Sequence, residues 1–137
     1  MRKLKAERNT IILTSVLILL PVLAGVLLWN RLMGNTVYAS GEQIREGAHV
    51  YAHSRKDGKD GYVYLVINNS REATTVELPG EAEVYALTGN GKLRSRTMLL
   101  NGRELILGEG DALPCLCGEE VSGTIELAPA TCTFIVL

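Results

Sequence analysis

The sequence predicts a mainly β protein, an antiparallel β-sandwich preceded by one apolar N-terminal helix. An apolar run extends from Thr10 to Trp29. Beyond this run, short segments alternate apolar and polar residues with the period of two that is typical of strands. Turn sequences of the Asp-Gly and Asn-Gly type separate these segments, as in antiparallel hairpins. We therefore divide the 137-residue chain into a helical segment, 1–34, and a β-sandwich domain, 35–137.

The N-terminal segment has the pattern of a membrane anchor. Four basic residues precede the apolar run: Arg2, Lys3, Lys5 and Arg8. The run Thr10–Trp29 has about the 20 residues that a helix needs to span a bilayer. Positive charge ahead of a span predicts a cytoplasmic N-terminus, which would place the β-domain outside as a single-pass protein. Two alternatives are a cleaved signal, giving a secreted protein, and a helix buried against protein in a soluble fragment. Gly34 is predicted to end the helix.

Short strand candidates follow at the spacing of a sandwich. They are Val37–Ser40, Ala48–Ser54, Tyr62–Asn68, Ala73–Leu78, Glu83–Thr88, Met98–Leu100, Arg103–Leu107, Thr124–Leu127 and Cys132–Leu137. Asn101-Gly102 predicts a two-residue hairpin turn of type I′. The apolar positions of these strands predict the core: Val63, Leu65, Ile67, Val84, Leu105, Ile125, Phe134 and Val136. The region 108–123 is expected to be a long loop.

Composition and motifs exclude several functions. The net charge is −1 and the charges are interspersed, so no basic stripe is available for nucleic acid. The sequence contains no Gly-x-Ser-x-Gly, no phosphate-binding loop and no His-Glu-x-x-His. Its acidic residues fall in turns and on strand exteriors, where they are expected to be solvated. We therefore assign no catalytic, cofactor-binding or metal-binding residue from the sequence.

A weaker candidate site lies on two neighbouring strands. His49, Tyr51 and His53 share one strand face, but the two histidines are about 13 Å apart by strand rise and cannot share one metal ion. Tyr51, with Tyr62 and Tyr64 on a neighbouring strand, is a candidate for an aromatic stripe. Such a stripe can stack on sugar rings or on another domain. The favoured interpretation is that these side chains simply pack one face of a sheet.

Two further motifs bear on processing. Cys115 and Cys117 are too close in an extended chain to pair easily, and Cys132 could pair with either only if its strand lay alongside. The favoured interpretation is free cysteines acting as small apolar residues, with the disulfide state left open. Asn68-Asn69-Ser70 is a formal N-glycosylation sequon at a predicted turn.

Several segments together resemble a known family. They are Leu28–Gly34, Val50–His53, Tyr64–Asn68, Leu99–Gly102 with Leu105, Leu113-Pro114, Leu127–Ala130 and Phe134–Val136. In this order and spacing they resemble the C-terminal part of heparanase-like enzymes, glycoside hydrolase family 79, over roughly residues 25–137. Each motif alone is weak, and the specificity comes from their order.

The resemblance implies a β-sandwich that packs beside an (α/β)8 barrel, and it is the barrel that carries the catalytic glutamates. No catalytic position of the family falls on this chain, so the resemblance implies a non-catalytic accessory domain in a truncated or membrane-tethered form. Its expected partners are a barrel encoded elsewhere or a polysaccharide, together with a membrane through Thr10–Trp29. The segment Gly25–Gly34 matches the last barrel helix, which would contact protein rather than lipid. The alternative function is a membrane-displayed module that binds carbohydrate or protein.

Overall fold

A computed structural model describes residues 23–39, 48–89 and 97–137. Residues 23–32 are α-helical and are called α1. The strands are β1 Met33–Tyr38, β2 Ala48–Arg55, β3 Tyr62–Asn68, β4 Thr74–Glu77, β5 Ala82–Thr88, β6 Leu99–Leu100, β7 Arg103–Glu104, β8 Glu119–Val121, β9 Thr124–Leu127 and β10 Thr131–Val136. All of their pairings are antiparallel. The predicted fold class, mainly β with a helix near the N-terminus, is confirmed.

The strands form one large and one small sheet. Among the described residues, the large sheet has eight strands in the order β1-β2-β3-β10-β5-β6-β7, and β8 also pairs with β5. The small sheet consists of β4 and β9. Strand β10 lies between β3 and β5, so that Phe134 has Leu65 on one side and Tyr85 on the other. The last strand of the chain therefore forms the centre of the large sheet.

The large sheet has an apolar core on each face, because its strands alternate with period two. In β3, Val63 and Leu65 belong to one core, whereas Val66 belongs to the other. The helix-side core consists of Ala24, Leu28, Met33, Val63, Leu65, Tyr85, Leu87, Leu100, Leu105, Phe134 and Val136. The small-sheet core consists of Val66, Leu78, Ala82, Val84, Leu127 and Ile135. Thus α1 covers one face of the large sheet, and β4 and β9 cover the other.

Helix α1 packs along one face only. Ala24 and Leu28, four residues apart and so on the same helix face, are buried in the helix-side core. Leu23 and Val26 lie on the outer face and are exposed. Within the three described ranges, no helix is long and apolar enough to cross a membrane. Residues 10–22 of the predicted membrane span Thr10–Trp29 lie outside the described residues. The remaining residues of the span, 23–29, belong to α1.

The end of the helix was predicted incorrectly. Gly34 was expected to terminate α1 and the first strand to begin at Val37, but β1 begins at Met33 and includes Gly34. The glycine is required by a close approach to β2, because a Cβ at this position would lie 2.6 Å from the carbonyl oxygen of Ser54. The chain therefore passes from helix to strand without a separate capping residue.

The predicted core and hairpin agree with the structure. Six of the predicted core residues are buried: Val63, Leu65, Val84, Leu105, Phe134 and Val136. The other two, Ile67 and Ile125, are partly buried and pack against the two cores. Asn101 and Gly102 have φ values of 48° and 79°, and they connect β6 to β7 as the predicted tight turn. Such a turn needs positive φ at both of its central residues.

Candidate functional site

The predicted aromatic stripe is divided between the two faces of the large sheet. Tyr51 is paired with Leu65, so its side chain lies on the helix side. Tyr62 and Tyr64 alternate with Val63 and Leu65 along β3, so they lie on the opposite side. The expectation that Tyr51 forms one stripe with Tyr62 and Tyr64 was wrong. Correct assignment of faces between strands requires the register, which the sequence alone does not contain.

A different tyrosine completes the cluster on the small-sheet side. Tyr38 of β1 contacts Tyr62 edge-to-face, with ring centroids 5.2 Å apart and planes at 83°. Tyr62 is also tilted against Tyr64, with centroids 6.3 Å apart. Tyr38 and Tyr62 remain half-exposed. We call Tyr38, Tyr62 and Tyr64 the tyrosine cluster, and its exposed edge offers an apolar surface with hydroxyl groups.

The two histidines have different environments. His53 is buried, and its Nδ1 donates a hydrogen bond of 2.9 Å to the carbonyl oxygen of Gly34. Its ring also contacts Trp29 of α1 edge-to-face at a centroid distance of 5.0 Å. His49 is partly buried and lies further along β2. His53 therefore links α1, β1 and β2, and the structure does not bring His49 into this contact.

A polar junction that sequence reasoning missed joins α1 to the coil 112–118. The Nη1 group of Arg31 donates a hydrogen bond of 2.6 Å to the carbonyl oxygen of Leu116. The same guanidinium lies over the ring of Tyr85, with Cζ 5.9 Å from the centroid, at a distance typical of a cation–π contact. The Tyr85 hydroxyl donates a hydrogen bond of 2.7 Å to Oε1 of Glu83. We call Arg31, Glu83, Tyr85 and Leu116 the Arg31 junction.

Burial changes the acid–base behaviour of Tyr85. Desolvation, followed by the hydrogen bond to the Glu83 carboxylate, raises the pKa of Tyr85 from the ordinary 10.0 to about 12. The hydroxyl is therefore a hydrogen-bond donor throughout the physiological range. Gly118 lies directly against this pair, because a Cβ there would lie 2.7 Å from Cζ of Tyr85. Any larger residue at position 118 would force either this pair of side chains or the coil to shift.

A disulfide lies in the same coil. Cys115 and Cys117 are bonded to each other, with their Cα atoms 5.6 Å apart. The expectation that they do not pair easily was wrong, because the coil is more contracted than the roughly 7 Å that two fully extended residues span. This Cα distance lies within the range usual for disulfides. Cys132 is a free thiol, and burial raises its pKa to about 11.

The asparagine of the predicted N-glycosylation sequon makes hydrogen bonds within the fold. Asn68 is completely buried, at 0% exposure. Its amide nitrogen donates to the carbonyl oxygens of Glu72 and Leu127, both at 3.0 Å, and its Oδ1 accepts from the Ser70 hydroxyl at 2.7 Å. An amide that is buried and hydrogen-bonded in this way leaves no room for a glycan in the folded protein.

The helix side of the large sheet exposes several apolar side chains. Three of them lie on α1, namely Leu23, Val26 and Trp29. Val37 and Tyr51 are also exposed and lie on this face of the large sheet, as the pairing of Val37 with His53 and of Tyr51 with Leu65 shows. Leu113 is exposed as well and forms an apolar groove with Leu23, Leu27 and Pro114. We call this set the helix-side apolar surface: Leu23, Val26, Leu27, Trp29, Val37, Tyr51, Leu113 and Pro114. Apolar patches of this kind are typical of interaction surfaces.

Comparison with known proteins gives two curated relatives. The chain is 32% identical over 120 residues to baicalin-β-D-glucuronidase from Scutellaria baicalensis, a match that covers 81% of this chain and 23% of the relative. It is 30% identical over 151 residues to heparanase-like protein 1 from Arabidopsis thaliana, covering 81% of this chain and 28% of the relative. No family model matches the chain. The chain thus spans about a quarter of the length of these relatives, and the matches support a relationship to glycoside hydrolase family 79.

Proposed function

We propose that this chain, a relative of the heparanase-like glycoside hydrolases, is a non-catalytic β-accessory domain that packs against a catalytic barrel. The proposal is supported by its fold, which is a β-domain with one helix on its surface. It is supported also by the lengths of the two relatives, of which the matched part is only about a quarter. The remaining three quarters of such proteins are long enough to form a separate catalytic domain.

The observation that carries the proposal is that α1 has apolar residues on both its buried face and its exposed face. Its inner face buries Ala24 and Leu28 in the helix-side core, while its outer face exposes Leu23 and Val26. A surface helix with only one protein partner is ordinarily polar on its outer side. An apolar outer face is expected when a second protein body covers it. The helix-side apolar surface is therefore the proposed contact with the barrel.

The junction residues fit the same role. Arg31 and Leu116 hold the coil 112–118 beside α1, and Trp29 on His53 holds the helix beside β1 and β2. Both contacts lie in the last turn of α1, on two neighbouring elements, and so hold this end of the helix against the sheet and the coil. A rigidly held helix presents its outer face in one orientation, which lowers the entropic cost of docking.

In this proposal the chain alone does not hydrolyse glycosides. Hydrolysis needs two carboxyl groups held about 5–10 Å apart across a cleft that accepts a sugar. Two of the described carboxylates have partners within the chain: Glu83 accepts the Tyr85 hydroxyl, and Asp57 is paired with Arg55. The test is an assay of the purified chain on a chromogenic β-glucuronide. We expect no turnover above buffer, whereas turnover that is abolished by Glu83→Gln or another single carboxylate substitution would overturn the proposal.

A second candidate function is carbohydrate binding, and the tyrosine cluster is the observation that favours it. A half-exposed tyrosine offers a ring that can stack on a sugar and a hydroxyl group that can hydrogen-bond to it. The test is binding of the chain to a uronic-acid polysaccharide. Binding that is lost in Tyr62→Ala but kept in Tyr51→Ala would favour this function, since Tyr51 lies on the opposite sheet face. Equal binding by both variants would exclude the cluster as the site.

Membrane tethering through Thr10–Trp29 belongs to the same set of proposals. The basic residues that precede this run support a cytoplasmic N-terminus. The packing of Leu28 in the helix-side core instead supports protein contact for the last part of the run. A C-terminal reporter enzyme that is active only outside the cytoplasm distinguishes membrane tethering from protein contact. Reporter activity in a membrane fraction supports tethering, and an inactive reporter recovered without membranes contradicts it.

A further inference from the structure

The Cys115–Cys117 disulfide closes a very small ring at a position that matters for α1. Leu116 is the single residue between the two cysteines. Its side chain packs against the helix-side core, and its carbonyl oxygen accepts the Arg31 hydrogen bond. The carbonyl oxygen of Cys117 accepts a second, longer bond of 3.4 Å from the Asn101 amide. The ring thus contains the Leu116 carbonyl group that accepts the Arg31 bond, and the Cys117 carbonyl group follows the ring directly.

Both cysteines are accessible to reagents. Cys115 and Cys117 are exposed, whereas Leu116 is partly buried. The two cysteines also line a cavity of about 330 Å³ beside the β6–β7 hairpin, together with Arg103 and Glu119. Exposed disulfides are the ones that typically undergo exchange, because an attacking thiolate can reach the sulfur atoms. A three-residue ring also constrains the unfolded chain less than a long loop does, so its contribution to global stability is small.

We propose that Cys115–Cys117 is a site of reversible thiol–disulfide exchange that clamps the coil 112–118 onto α1 when oxidised. The reactant is a dithiol. Its thiolate attacks one cysteine Sγ, forming a mixed disulfide and releasing the other Sγ as a thiolate that takes up a proton. The second thiol of the reductant then attacks the mixed disulfide and releases the first cysteine as a thiol. Two electrons and two protons pass to the protein, and the reductant becomes a cyclic disulfide.

Reduction opens the ring and allows Leu116 to rotate away from α1. Arg31 then loses its acceptor, and the groove formed by Leu23, Leu27, Leu113 and Pro114 loses its fixed wall. Cys132 does not take part, because it lies half-buried in the central strand and burial raises the pKa of its thiol. The exchange therefore changes the surface beside α1 and leaves the sheet unchanged.

The experiment uses the full chain, oxidised in air. Iodoacetamide is added without reductant, and mass spectrometry measures alkylation of each cysteine. Limited trypsin digestion then follows cleavage after Arg31 with and without dithiothreitol. We expect Cys115 and Cys117 to resist alkylation until dithiothreitol is present. Cleavage after Arg31 should then rise on the order of threefold to tenfold, the change expected from loss of one hydrogen bond. Cleavage after the exposed Arg71, which lies in the β3–β4 turn, should be unchanged.

Two variants complete the test. The double variant Cys115→Ser with Cys117→Ser should show the fast cleavage after Arg31 with or without reductant, and Cys132→Ser should respond to reductant as the parent chain does. If the double variant does not fold, the comparison of oxidised and reduced parent chain decides. Alkylation of Cys115 and Cys117 without reductant, or equal cleavage after Arg31 in the two redox states, would overturn the proposal.

Discussion

The guanidinium of Arg31 donates a 2.6 Å hydrogen bond to the carbonyl oxygen of Leu116, although the two residues are 85 positions apart in sequence. This bond joins the helix at the start of the described chain to the coil that precedes its last strands. Charge-assisted hydrogen bonds of this kind are stronger than neutral ones. The helix is therefore attached to the coil by a polar contact and to the sheet by apolar packing.

The packing of α1 can be tested with two aliphatic residues on opposite faces. Leu28 is 0% exposed and Val26 is 49% exposed. We expect Leu28→Ala to lower the free energy of unfolding by about 2–5 kcal/mol, because it leaves a cavity in the helix-side core. Val26→Ala should change it by less than about 0.5 kcal/mol. Urea denaturation of both variants provides the measurement. Equal and small effects would mean that α1 does not pack on the sheet in solution.

The buried sequon predicts a stability effect and a glycosylation effect. Asn68→Ala removes the amide that donates to the buried carbonyl oxygen of Leu127, and a buried partner left unsatisfied costs about 1–3 kcal/mol. The exposed neighbour provides the control, since Asn69→Ala should be close to neutral. After expression in cells that attach N-glycans, the folded fraction should carry no glycan on Asn68. Intact-mass analysis that finds a folded, glycosylated chain would contradict the buried position.

Two threonines on the central strand predict opposite effects of the same substitution. The Thr133 hydroxyl is buried and finds no hydrogen-bond partner among the described residues, whereas the Thr131 hydroxyl donates to the carbonyl oxygen of Ala128 at 2.7 Å. Thr133→Val replaces an unsatisfied hydroxyl with a methyl group, so we expect unchanged or higher stability. Thr131→Val should cost about 0.5–1.5 kcal/mol. Thermal unfolding compares the two variants, and a larger loss for Thr133→Val would show that its hydroxyl has a partner.

The raised pKa of Tyr85 predicts that the folded protein loses stability at alkaline pH. A tyrosine in the unfolded chain titrates near the ordinary 10.0, whereas the pKa of Tyr85 in the folded protein is raised to about 12. Between these values the unfolded state releases the proton and the folded state keeps it, so this contribution to stability falls as the pH rises. Denaturant unfolding at increasing pH should show a shallower fall in Tyr85→Phe than in the parent chain. Tyr51→Phe, a change at an exposed tyrosine, should follow the parent chain, and identical profiles for all three would contradict the burial of the Tyr85 hydroxyl.

The sequence predicts the features of this fold that are local. Alternation along β3 correctly separates Val63 and Leu65 from Val66, because side chains in a strand point alternately to the two faces. The Asn101-Gly102 turn was predicted correctly because positive φ at two consecutive residues strongly restricts which residues can occupy them. The strand β8, Glu119–Val121, was missed since its polar residues do not alternate in the expected way.

The features that sequence reasoning missed depend on contacts between distant residues. The register of β2 on β3 decides whether Tyr51 and Tyr62 lie on the same face of the sheet. A shift of one residue would move Tyr51 to the other face. The Arg31–Leu116 contact depends on where the coil crosses the helix. Only the Cys115-x-Cys117 spacing signalled chemistry in that coil, and its pairing depends on a local contraction of the backbone.

The most direct test of the central claim, that the helix-side apolar surface docks a catalytic barrel, is a chimera. The matched segment of the Scutellaria baicalensis relative is replaced by this chain, and hydrolysis of a chromogenic β-glucuronide is measured in the soluble fraction. Val26→Asp places a charge on the outer face of α1, and Thr75→Asp places one on the exposed side of β4 as a matched control. We predict an active chimera that Thr75→Asp leaves active and Val26→Asp inactivates or makes insoluble. Equal activity of the two variants would contradict docking through α1.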